Sequence, residues 1–273
     1  MAIITISRGT FSGGKELAEC IAEKLDYKCL SREVLVEAAS TYGTPLEKLI
    51  KAVSEKPGIQ ERMTLDRVYY LAYIQAALVK AASEEKLVYH GNAGQLLLEV
   101  VPHVIRVRVI ADMEYRINAA MAREKLTRQQ AIDTIKKRDK ERIEWTRFLF
   151  HVNLLDPLLY DIVINLEKVS ISHACNTLIA LAESEEYKPT AQSQKTIANL
   201  VLATDVRARL CTEEKVHHVD EIEIAADDGV VTIMGSVHSL KEAEAAVEIA
   251  RQYPGVKDVI SKIKPTYHSL IRY

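Results

Sequence analysis

Near the start of the chain, Gly9-Thr10-Phe11-Ser12-Gly13-Gly14-Lys15 combines glycines, a hydroxyl and a lysine in the spacing GxxxxGK. That pattern suits a phosphate. Small residues let successive backbone N–H groups turn inward as an anion nest, a following helix adds its positive end, and Lys15 can reach the outer phosphates of a nucleotide. The next residue is Glu16, where the motif usually carries a Ser or Thr that ligates Mg2+. Glu16 would hold the ion through water, or face solvent in the first helical turn, where the helix dipole favours a carboxylate. Ser12 is the substitute oxygen. The expected nucleotide-binding set is therefore Gly9, Ser12, Gly13, Gly14, Lys15 and Glu16, with ATP and Mg2+ as ligands.

A second group lies between residues 123 and 147, where basic side chains outnumber acidic ones and Arg138 and Arg142 stand four apart on one helical face. Were the bound phosphate to be transferred in line, positioning and charge stabilisation would matter more than covalent chemistry, and Arg138 and Arg142, with Lys15, would be the catalytic cations. The same residues would equally make a solvated, salt-bridged helix face. Asn92, in Gly91-Asn92-Ala93, could donate to a substrate phosphate or cap the next helix.

These residues need elements to hold them. The β-branched run Ala2–Ile6 predicts a strand, and Leu17, Ala18, Ile21, Ala22 and Leu25 recur at helical spacing after the loop. A second helix is expected from Ser31 as N-cap. One or two more should span Pro45–Ala82, broken around Pro57-Gly58. Lys86–His90, Val104–Ile110 and Asp161–Leu166 read as strands, with helices at Met113–Glu124, Arg128–Phe150 and Ser172–Ala182. Strands alternating with helices imply parallel βαβ units.

Residues 183–193 are polar, contain Pro189 and show no apolar periodicity, so they read as a linker between domains 1–182 and 194–273. After it come a helix at Gln194–Cys211, alternating runs at Asp220–Ala225 and Val230–Met234 about Asp227-Asp228-Gly229, a helix at Leu240–Tyr253 and a strand at Val256–Ile263. That is an αββαβ order with a hairpin signal.

The bulk properties agree. A chain of 273 residues suits two domains, and 48% hydrophobic with 27% charged residues is ordinary globular composition. The net charge of −2, one Trp and no basic block argue against nucleic acid as a partner. The widely spaced Cys20, Cys29, Cys175 and Cys211 read as reduced thiols, and His217-His218 and Asp227-Asp228 as turn or strand residues, not metal ligands. Met1–Arg8 has no basic segment leading a long apolar run, and no stretch approaches the roughly 18 apolar residues of a membrane span, so the cytoplasm is expected and no integral membrane segment.

Ile4-Thr5-Ile6-Ser7-Arg8, Ser12-Gly13-Gly14-Lys15-Glu16, Leu17-Ala18 and Ala22-Glu23-Lys24-Leu25 together resemble the opening of the cytidylate kinase-like family, in which a Glu after the basic loop residue is common. The resemblance continues through Leu87–Gly91, Arg106–Ile110, Arg123–Arg142 and Tyr160–Asn165 and covers about residues 1–182. It implies a P-loop nucleoside monophosphate kinase-like parallel sheet flanked by helices, a helical substrate-binding insertion near residues 35–82, and a basic lid at 123–147. The implied reaction is ATP-dependent transfer to CMP or dCMP, with Asn92 and Arg123 facing the substrate. Where family members resemble Gly-Arg-Gly or Gly-Arg-Ala, this chain has Asn92; Arg62 or Arg67 could stand in, although both are expected on a helix surface. The alternative is a nucleotide-binding regulatory protein with little kinase activity.

Residues 194–264 resemble a BON domain through Val230–Val237, the Ala-rich helix after it and Pro254–Val259. That resemblance implies a small α+β module and a hydrophobic or lipid ligand. A homo-oligomer is a further expectation.

Overall fold

The computed structural model describes residues 1–54, 66–84, 86–217 and 219–265. The expected break at Pro57-Gly58 lies outside the described residues, as do Arg62 and His218.

Five parallel strands form the first sheet: β1 (Ile3–Arg8), β2 (Lys28–Leu30), β3 (Leu87–Tyr89), β4 (Val104–Ile110) and β5 (Ile162–Asn165), in the order β2-β3-β1-β4-β5. β1 is central and covered on both faces, which is why it reads as a nearly continuous apolar run. Ile4 and Ile6 pack with Leu17 and Ile21 of α1 (Gly14–Leu25) and Leu178 of α8 (Ile171–Ala182). Ile3 faces the other layer, built by α2 (Glu33–Tyr42), α3 (Leu46–Ser54) and α4 (Asp66–Ser83). The short α5 (Gly94–Leu97) follows β3. A third small core of Ile117, Ala120, Ala131 and Ile135 joins α6 (Met113–Glu124) to α7 (Arg128–Phe150).

Two local expectations change. β2 has three residues and no alternation, so pattern alone does not reveal it; it forms because it pairs in parallel with β3. Ser31 does not cap α2. Its backbone N–H is accepted by the Glu33 carboxylate, and the N-cap position falls to Arg32.

The C-terminal region holds a second, three-stranded sheet of β6 (Ile222–Asp227), β7 (Val230–Val237) and β8 (Asp258–Pro265), with α10 (Leu240–Arg251) between the last two. β6 and β7 are antiparallel and β7 and β8 parallel. Asp227 pairs with Val230, leaving a two-residue turn in which Asp228 and Gly229 have φ of 49° and 87°, the double left-handed geometry of a tight hairpin. Gly235 is required sterically: at φ 121°, an added Cβ would sit 1.9 Å from the Glu221 carbonyl oxygen.

The polar stretch before this sheet is only partly irregular. Helix α9 (Ala191–Cys211) begins inside it, because Thr190 and Ser193 exchange side-chain and backbone hydrogen bonds as a capping box. α9 packs along α4, and one buried cluster runs from Ile3 through Leu78 to Val206, Leu210 and Ile233. Across this seam the Tyr73 hydroxyl donates to the Cys211 carbonyl at 3.0 Å, and the Tyr69 hydroxyl donates to the His217 carbonyl at 2.8 Å. Among the described residues no helix is long and apolar enough to cross a membrane.

Candidate functional site

The carboxyl ends of β1 and β3, with Ser31 just after β2, open into one cleft of about 520 Å³, where a parallel sheet ordinarily binds its ligand. The Gly9–Lys15 loop forms its floor. Gly13 takes φ 86° as the residue before α1, and a Cβ there would meet Leu166 Cδ1 at 2.8 Å. Gly14 is needed for another reason: its missing side chain makes room for the stem of Arg8, whose Cβ and Cδ would lie 2.8 Å from an added Cβ. Ser12 is fully buried, with its hydroxyl within reach of the Gly9 carbonyl at 2.9 Å and the Val109 carbonyl at 3.2 Å, so it holds the loop's shape.

Lys15 lines the cleft on an exposed side chain, 3.5 Å from Glu19. Glu16 pairs through one oxygen with Arg123, while its Oε2 is buried and has no hydrogen-bond partner among the described residues. An orphaned carboxylate oxygen beside a phosphate loop fits a hard divalent cation such as Mg2+.

Arginines from the helices α6 and α7 form the roof. Arg138 pairs with Glu124 and lies 5.6 Å over the Phe11 ring. Arg142 donates to the Arg8 carbonyl at 2.5 Å and stands 3.9 Å from Asp139. Asp139, one of the few acids in this basic run, ties the roof to the loop: it accepts the Thr10 backbone N–H at 2.9 Å and pairs with Arg116, which also donates to the Thr10 carbonyl at 2.8 Å. Burial pushes the Asp139 carboxyl up, but the bonds from Thr10 and Arg116 outweigh it and hold the group below the usual aspartate range. Among the described residues, six arginine or lysine side chains line the cleft against three glutamates, a balance that suits an anionic ligand.

Asn92 is at the cleft wall, and its amide donates to the Val53 carbonyl at 2.7 Å. Trp145 Nε1 donates to the Ala52 carbonyl at 2.6 Å and Arg67 to the Lys51 carbonyl at 3.1 Å. Three consecutive carbonyls in the last turn of α3 thus receive donors from three different elements, answering the need of a helix end for outside partners. This corrects the surface position expected for Arg67, which is buried.

The structure brings Ser12, Gly13, Gly14, Lys15, Glu16, Asn92, Arg123, Arg138 and Arg142 to the same cleft, on the loop and its rim, whereas Gly9 lies at the start of the loop against Arg116 and does not line it. Sequence reasoning missed Arg8, His90 and Asp139. A charged Arg8 at the end of an apolar strand was the available signal.

The parallel five-stranded sheet flanked by helices, with this loop between β1 and α1, defines the P-loop kinase class of fold. Within that class, the chain belongs to the cytidylate kinase-like family, whose model matches residues 3–168, and residues 199–265 match a BON domain. Cytidylate kinases from Saccharolobus islandicus strains L.S.2.15 / Lassen #1 and M.14.25 / Kamchatka #1 are each 25% identical over 199 residues, covering 71% of this chain and 98% of theirs. A crystal structure of an uncharacterized protein from Eubacterium ventriosum ATCC 27560 shares the fold, with a TM-score of 0.53 and 23% identity over 68% of this chain and 100% of that one.

Proposed function

We propose that this protein transfers the γ-phosphoryl group of ATP to a nucleoside monophosphate, with CMP or dCMP as acceptor, giving ADP and the nucleoside diphosphate. The observation that carries this reading is the shared cleft: a phosphate loop on its floor and Arg123, Arg138 and Arg142 around it.

The loop's backbone N–H groups and Lys15 bind the outer phosphates of ATP. Arg138 and Arg142 stabilise the charge that spreads over the transferred group as an acceptor oxygen bonds to the γ-phosphorus and the bond to the β-phosphate oxygen breaks. Arg123 leaves Glu16 to meet the substrate side, and Asp139 holds α7 against the loop so that these cations converge. Mg2+, when bound near Glu16, would neutralise and orient the phosphates. The cytoplasm supplies both substrates and is the compartment this reading requires.

A second reading, a nucleotide-binding regulator with little transfer activity whose BON domain binds a separate, hydrophobic ligand, is favoured by one observation: the Asn92 amide is engaged by Val53. ADP release measured by a coupled assay across CMP, dCMP, UMP and AMP separates the two. The kinase reading expects release stimulated well above the ATP-only rate by a cytidine nucleotide. ATP binding without stimulation by any acceptor supports the regulator.

A further inference from the structure

Arg8 ends β1 with its charged group half-buried and, among the described residues, no carboxylate paired to it. Its guanidinium reaches across to the end of β3, where it donates to the His90 carbonyl and lies against His90 Nδ1. Both partners are uncharged, since burial, and then Arg8 itself, push the His90 imidazole down to about 4. A second guanidinium works against it: burial first and the charge of Arg142, which reaches the Arg8 carbonyl, second pull Arg8 down to about 10. A buried cation facing another cation over neutral partners is costly unless an anion joins them.

The position of Arg8 within the cleft says which anion. Its stem packs against Gly14 of the phosphate loop, and its head stands at the β3 end, in a small pocket shared with His90, Gly91 and Asn92. The cleft wall on that side comes from Leu35 of α2 and Ile50 and Val53 of α3, elements separate from the loop that takes ATP.

We infer that Arg8 binds the phosphate of the acceptor nucleoside monophosphate, with Arg142 completing the anion site from α7. This rests on the kinase reading above and names the residue that selects a phosphorylated acceptor over its nucleoside. His90 positions Arg8, and Gly14 leaves the path for its stem.

The test uses the full chain with Arg8→Lys, which keeps a charge but loses the two-pronged guanidinium. Three quantities are measured: KM for the acceptor monophosphate, inhibition by the parent nucleoside, and ATP Kd. The acceptor KM should rise at least roughly tenfold, with nucleoside inhibition and ATP Kd within about twofold of wild type. An unchanged KM, or equal weakening of monophosphate and nucleoside, overturns the assignment. A readout on the wild-type protein guards against misfolding: phenylglyoxal labelling of Arg8, followed by peptide mapping, should be suppressed by the acceptor monophosphate and not by the nucleoside. Absence of that protection also overturns it. Wild type that transfers to no monophosphate contradicts the kinase reading itself, whereas transfer indifferent to Arg8→Lys contradicts only the role of Arg8.

Discussion

The Asn92 amide donates to the Val53 carbonyl at 2.7 Å, so the loop after β3 is fastened to the end of α3. Asn92→Ala should therefore loosen the cleft wall and lower stability by about 1 kcal/mol, the usual worth of such a bond. ATP affinity should stay within about twofold, because the bond touches neither the loop nor Lys15. Denaturant unfolding and ATP titration check both; an unchanged midpoint would mean the bond contributes nothing.

His90 gives a pH prediction. Its imidazole is held down to about 4 in the folded protein by burial first and by the Arg8 charge second, with Lys15 acting the same way and Glu33 opposing. The unfolded chain takes up a proton near the ordinary histidine value of about 6.5. Folded and unfolded forms are both neutral at pH 8, so His90 adds no penalty there. As pH falls from about 6.5 to about 4 only the unfolded form gains the proton, and stability drops by up to roughly 3 kcal/mol from this group. His90→Asn keeps an acceptor for Arg8 and removes the titration. Its stability between pH 7 and pH 4 should fall less steeply than wild type; parallel curves would place the acid sensitivity elsewhere.

Arg142 donates to the Arg8 carbonyl at the end of β1, stands beside Asp139 and lines the cleft. Its charge matters most where negative charge moves, so Arg142→Ala should lower kcat by roughly a hundredfold while the KM for ATP changes severalfold at most. Steady-state kinetics with ATP varied decide this. Wild-type kinetics in the variant would return α7 to a solvated face.

The seam between α4 and α9 bears on the modular division, which we propose with a boundary in residues 183–193. Removing residues 189–273 would uncover Tyr73, Ala76 and Ala77 and leave the Tyr73 hydroxyl without Cys211. Residues 1–188 should still bind ATP, since the loop lies away from the seam, but should melt several degrees lower than the full chain, as lost apolar burial dictates. Calorimetry with and without ATP tests this. A fragment that cannot bind nucleotide would make the two parts one cooperative body.

How much of this was legible in sequence follows from what each feature depends on. The loop, β1, β4 and the long helices announce themselves through spacing and periodicity, properties of neighbouring positions. β2 escaped because its three residues become a strand only beside β3. Asp139 carries no signal in a run that mixes acids with lysines and arginines; only the fold sets it against the Thr10 N–H. Asn92 offered a donor whose partner, Val53, is 39 residues away. Arg67 reads as a surface residue on its own helix and is buried because the end of α3 needs it. Fold class rests on local pattern, whereas the site's wiring rests on partners distant in sequence.

The central claim is tested most directly by following the labelled γ-phosphate of ATP after incubation of the full chain with CMP or dCMP and separating the nucleotides. The account predicts label in the cytidine diphosphate product with wild type, and none with Lys15→Ala, whose ATP affinity should also fall roughly tenfold or more with loss of the charge on the outer phosphates. Label confined to ATP and inorganic phosphate with wild type, or an undiminished product with Lys15→Ala, would contradict it.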